Sequence, residues 1–162
     1  MGNQQAKVGL RLDKETYEAG GVITGRVYLS LPKKNGSNIE GLHLLFTGIE
    51  YAQVARKQKS HHHHNKHHNN EPIIEKSIHV LVRNDFPLVD LRTVPTGQYE
   101  YPFELPVPAE LPSSVKCHDN TNKKSFCEIR FTLMAYLVQQ GTPQQTSLYP
   151  TTTTTSGWSS ID

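Results

Sequence analysis

Two cysteines ten positions apart, Cys117 and Cys127, and nine histidines are the side chains of this 162-residue sequence best suited to ligate a metal or act as nucleophiles. The cysteine spacing is not that of a metal-binding pair, no secretory leader accompanies it, and both are expected to be free thiols. Cys127 falls in the alternating run FCEIRFTLMAYLV with no neighbouring base, so it is expected to be a small buried hydrophobe rather than a nucleophile. Six of the histidines lie in the low-complexity segment KQKSHHHHNKHHNNE. Such a tract can hold zinc or nickel loosely, but without fixed spacing it defines no coordination geometry. His43 stands alone on the polar face of a strand pattern and is expected to be solvated, because a metal site needs several convergent donors. No metal or cofactor site is therefore expected. Gly2 follows the initiator methionine as N-myristoylation requires, although Ala6 stands where that pattern asks for Ser or Thr. It is the one lipidation candidate, and a single myristoyl chain would give only marginal, reversible membrane attachment.

The remaining chemistry-bearing patterns are missing. There is no Gly-rich phosphate loop, no nucleophile elbow and no acid pair on an evident cleft, so no enzymatic activity is expected. The formal net charge is +2, and the basic residues are scattered rather than arrayed, which leaves no electrostatic footprint for nucleic acid. No run approaches the roughly 20 apolar residues needed to cross a bilayer. MGNQQAKV has no hydrophobic signal core.

These residues must be positioned by strands. In TGQYEYPFELPVPAELPSS, residues Tyr99, Tyr101, Phe103 and Leu105 recur at period two opposite Gln98, Glu100, Pro102 and Glu104. That is a strand with one buried face. Pro102 lacks an N–H and belongs at a sheet edge or a bulge, and Pro106, Pro108 and Pro112 end the ladder near Leu105. Val8 to Asp13 alternates likewise. Gly20 and Gly21 supply a turn, and Val22 to Leu31 follows with Ile23, Val27, Leu29 and Leu31 inward. Gly25 interrupts that inner face and marks a bulge or a close backbone approach. Pro32 to Asn38 reads as a polar turn. Ile39 to Val54 is a long strand in which Gly48 could kink the chain or pass it from one sheet to the other. Pro72 to Asn84 is expected to turn Ile74, Ile78, Val80 and Val82 inward, Asn84 to Thr96 to be irregular, and Lys116 to Ser125 to be a polar loop. Phe126 to Val138 is the last strand. The chain thus reads as a flexible N-terminus (residues 1–7), one sandwich (8–138) with a disordered His/Asn-rich loop insertion (57–71), and a low-complexity tail (139–162). Its core is expected to include Leu44, Phe46, Tyr99, Phe103, Ile129, Phe131 and Leu133.

Six strands, no convincing helix and Pro/Gly punctuation give an all-β, antiparallel β-sandwich on pattern alone. The runs LRLDKETYEAGGVITGRVYLSL, NIEGLHLLFTGIEYAQV, GQYEYPFELPVPAELPSSV and CEIRFTLMAYLV, in this order, resemble the N-terminal domain of arrestin-domain proteins, particularly the alpha-arrestin branch. The resemblance implies an immunoglobulin-like sandwich, expected from the low-complexity tail to be incomplete here, in a non-enzymatic adaptor or scaffold of membrane-protein trafficking, endocytosis or signalling. It also implies a cytoplasmic protein recruited to plasma membrane or endosomes, with the cytosolic tails of membrane proteins or trafficking machinery as partners. An endosomal sorting subunit of the retromer type is the nearest alternative, and a structural β-sandwich interaction module is a further one. Alpha-arrestins engage WW-containing ubiquitin ligases through PPxY motifs, and this sequence carries none.

Overall fold

The computed structural model describes residues 6–32, 39–57 and 71–140. Among them are seven strands and no helix: β1 (Lys7–Leu12), β2 (Val22–Leu31), β3 (Ile39–Arg56), β4 (Ile73–Asp90), β5 (Gly97–Pro106), β6 (Val115–His118) and β7 (Phe126–Gln139). They form two sheets, β1-β2-β5 and β4-β3-β7-β6, in which every pairing is antiparallel. The expected sandwich is present.

The core lies where the inward faces of the two sheets meet. Ile23, Val27 and Leu29 of β2 and Phe103 and Leu105 of β5 face Leu42, Leu44 and Phe46 of β3 and Phe131, Leu133 and Ala135 of β7. Phe46 and Phe131 stack at 6.0 Å between ring centroids. Tyr99 and Ile129 are half-buried at the margin of this cluster. Tyr17 is also buried; its hydroxyl donates to the Thr24 carbonyl at 2.8 Å and accepts from the Lys14 amide at 3.0 Å, closing the β1–β2 connection. Past β5, Val107 continues the contact with the turn: Gly20 N donates to Val107 O and Val107 N donates to Gly21 O.

Gly25 turns out to mark a close approach and not a bulge. The β1–β2 and β2–β5 registers run through it unbroken, and a methyl group there would sit 2.8 Å from the Phe103 ring. Gly48 leaves room for Phe131 in the same way, yet β3 stays in one sheet along its whole length instead of crossing to the other.

β4 departs most from expectation. The stretch from Asn84 is not irregular: the strand continues to Asp90, pairing with β3 as far as Gly41. Register shifts occur between Leu42/His43 and between Gly48/Ile49 in the β3–β4 pairing, whereas β3–β7 runs straight past both points. The extra residues, Leu88 and Leu81, therefore sit in β4. A bulge of one residue sends every later side chain to the opposite face. Val82 pairs with Gly48 on the core side, but Val80 pairs with Ile49 and Ile78 with Tyr51 on the outer side. Ile74, Ile78 and Val80 are exposed and do not point inward. The Lys116 to Ser125 loop is likewise not wholly irregular, because β6 pairs with β7 there. The polar turn expected at Pro32 to Asn38 and the His/Asn-rich insertion lie largely outside the described residues, as do Gly2 and the tail beyond Gln140.

Candidate protein-interaction surface

At 3.3–3.4 Å per residue, the 18-residue strands β3 and β4 run roughly 60 Å, whereas the longest strands of the facing sheet, at 10 residues, run only about 33 Å. One end of the four-stranded sheet therefore extends past its cover. Its side chains meet solvent on both faces. On the outer face, Ile74, Ile78 and Val80 are 45%, 63% and 45% exposed. They lie beside Ala55, Tyr51 and Ile49 of β3, and the Tyr51 ring reaches Phe126 at 5.4 Å. The result is an apolar strip along the outermost strand, interrupted by Lys76.

This end is tied to the β6–β7 turn by polar contacts. Ala55 N donates to Ser125 Oγ at 3.0 Å, Asn122 Nδ2 donates to the Ala55 carbonyl at 2.9 Å, and Gln53 Nε2 donates to the Lys124 carbonyl at 2.8 Å. The turn thus continues the ladder beside β3 where β7 has ended.

β4 has no strand on its far side among the described residues. A free sheet edge presents unpaired N–H and C=O groups, and proteins usually blunt it with proline, short length or bulges. The other three edges are defended in those ways: β5 carries Pro102, β6 is four residues long, and β1 is six. β4 is 18 residues long, and its proline, Pro87, comes near its C-terminal end. Between Ile73 and Phe86 the edge is interrupted only by the bulge at Leu81.

A second cluster occupies the opposite end of β4. His43, expected to be solvated and without partners, places Nδ1 3.0 Å from Asp85 Oδ1 and its ring 5.6 Å from that of Tyr136. The Tyr136 hydroxyl donates to the other carboxylate oxygen. Burial, reinforced by that bond to Asp85, pushes the Tyr136 phenol well above its ordinary range. Beside this cluster an open groove of about 420 Å³ is lined by Glu40, His43, Pro87, Leu88, Asp90 and Arg92. Hydrogen bonds from Arg92 hold the Asp90 carboxyl down at about 2. Both side chains are more than half exposed, so the pair adds little stability. No group of three or more potential metal ligands occurs among the described residues. The cluster offers a proton acceptor and a hydroxyl but no activated nucleophile.

Cys117 and Cys127 stand directly opposite each other in the β6–β7 ladder, and both are free and exposed. Cys127 is thus not the buried hydrophobe expected. It does share a face with Phe131, but the covering sheet does not reach that far. A hydrogen bond to Cys127 pushes the Cys117 thiol above its usual range.

Residues 7–154 match the family model of the arrestin (or S-antigen) N-terminal domain, and the chain belongs to that family. The solved structure of Spo0M, a sporulation control protein from Bacillus subtilis, is similar at 14% identity with a TM-score of 0.44. The similarity covers 86% of this chain and 45% of that one, so the chain spans less than half of that protein's length. No curated protein sequence matches significantly. Domains of the arrestin type are typically non-enzymatic and bind other proteins. Among the described residues, no helix is long and apolar enough to cross a membrane.

Proposed function

We propose that this arrestin-type chain is a non-enzymatic adaptor of membrane-protein trafficking that takes up extended segments, such as the cytosolic tails of membrane proteins, along the free edge of β4. The observation that carries this reading is the coincidence of a long edge, broken between Ile73 and Phe86 only by the bulge at Leu81, with an apolar row. Ile74, Ile78 and Val80 are exposed on the same strand whose outer backbone groups have no neighbouring strand among the described residues. In strand addition, main-chain hydrogen bonds supply affinity while alternate side chains supply specificity. An incoming strand would place every second side chain beside Ile78 and Val80, so a segment with alternating apolar residues fits best. Lys76, which pairs with Gln53 on the same face, favours an acidic residue in that row.

Amide exchange tests this directly. The full chain is mixed with a synthetic peptide of alternating apolar residues taken from a receptor's cytosolic tail. Slower exchange confined to amides between Ile73 and Phe86 is the expected result. Binding that protects β1 or β5 instead, or no binding at all, would overturn the assignment.

A further inference from the structure

We infer that Cys117 and Cys127 form a reversible dithiol–disulfide site that closes by exchange with a low-molecular-weight disulfide and locks β6 onto the sheet. This inference is independent of the adaptor reading. It begins with register. Asp119 N donates to Ser125 O at 3.0 Å, so the Asp119/Ser125 pair is of the hydrogen-bonded type. Antiparallel ladders alternate, and Cys117/Cys127, two steps further along, is of the same type. Residues so paired have Cα atoms about 5.5 Å apart, well inside the range that a disulfide spans. The Cβ atoms of such pairs stand somewhat farther apart than a relaxed disulfide prefers, so closure needs a small local twist.

The surroundings allow that twist without releasing the hairpin. Among the described residues β6 has a neighbour on one side only, and all four of its own residues are exposed. The turn, by contrast, is fixed. Asp119 Oδ1 accepts from the Thr121 amide at 2.8 Å and from its hydroxyl at 2.6 Å, and Ser125 N donates to the Asn122 carbonyl at 2.8 Å. Gln53 and Ala55 then tie the turn to β3. The two thiols are therefore held opposite each other before any oxidant arrives.

In the exchange, one cysteine thiolate attacks a sulfur of the external disulfide, forming a mixed disulfide and expelling one thiol. The facing cysteine, as thiolate, attacks the protein sulfur of that mixed disulfide and expels the second thiol. The protein loses two protons and two electrons, and the external disulfide gains them as two thiols. A disulfide that is solvent-exposed and slightly strained belongs to the readily reduced, labile class and not to the structural one.

The test equilibrates the full chain in buffers of oxidised and reduced glutathione over a wide range of ratios, followed by acid quench, thiol alkylation and intact-mass measurement. Both thiols should disappear together as one intramolecular disulfide, and added reductant should restore them. Exchange of the Val115 to His118 amides should slow at least several-fold in the oxidised form. Cys117→Ser and Cys127→Ser should each stop at a single glutathione adduct. Two independent adducts on the wild type would overturn the inference. So would disulfide-linked dimers, or two thiols still free at ratios that already modify the single-cysteine variants.

Discussion

Gly48 of β3 and Phe131 of β7 face each other across the ladder so closely that a methyl group on Gly48 would lie 2.5 Å from Phe131 Cε1. Val82 closes the remaining side at 2.9 Å. The ring can occupy the core only because position 48 has no side chain.

Gly48→Ala should therefore destabilise the domain by about 1–3 kcal/mol, the range for overpacking a well-filled core. Phe131 must give way, and its stacking on Phe46 would be disturbed with it. Urea denaturation measures the loss. An unchanged midpoint would mean that the ring moves freely.

Tyr17 offers a polar counterpart. Removing its hydroxyl deprives the Lys14 amide of an acceptor and the Thr24 carbonyl of one donor, although Asp13 N still donates to Thr24. Tyr17→Phe should cost roughly 1–2 kcal/mol, since the ring still fills its buried site. Faster exchange of the Lys14 amide should accompany the loss in denaturation experiments. A variant as stable as the parent, with that amide unaffected, would remove the hydroxyl from any bracing role.

The inward rows of β2 and β5 were legible in the sequence because each strand keeps a single register along a sheet that is covered on one side. Ile23, Val27, Leu29, Phe103 and Leu105 alternate and are buried accordingly. β4 defeats the same reasoning through its bulge at Leu81, which nothing in the local sequence marks and which turns Val80 and Ile78 outward. Cys127 departs from its pattern for a different reason: its face is as the alternation predicts, but its burial depends on how far an opposing sheet extends, a property of strands distant in the chain. The contacts of His43 with Asp85 and Tyr136 likewise join residues from three strands, and no spacing within one segment could announce them. The apolar strip lies on the outer face and is the product of the register flip.

The segment joining β3 and β4 gives a third prediction. Arg56 and Ile73 are paired, so the hairpin is closed on both sides of the connection. Deleting Ser60 to Asn70 leaves Lys57, Gln58, Lys59, Glu71 and Pro72 to make the turn, and hairpins commonly use loops of four or five residues. Stability should change by less than about 1 kcal/mol, because loop closure depends only weakly on length. Thermal unfolding of the deletion variant is the check. Insoluble protein or a much lower melting temperature would show that the tract contributes contacts of its own.

Ile78→Glu separates the interaction role of β4 from its role in the fold. With 63% of its surface already exposed, Ile78 contributes little to the core, so the substitution should shift stability by no more than about 0.5 kcal/mol. Its effect on an incoming strand should be much larger. Burying an isoleucine side chain is worth roughly 1.5–3 kcal/mol, and losing that contact weakens binding by about tenfold to a hundredfold. A glutamate facing an apolar peptide side chain adds an unpaired charge to the deficit. Glu104→Ala, on the proline-bearing edge strand β5, is the control and should bind the peptide like the parent. Titration of both variants with the same tail peptide decides the matter, and sedimentation at rising protein concentration extends it to the case in which a second copy is the occupant. If Ile78→Glu leaves both peptide affinity and self-association untouched while the fold is intact, the apolar row on β4 takes no part in recognition.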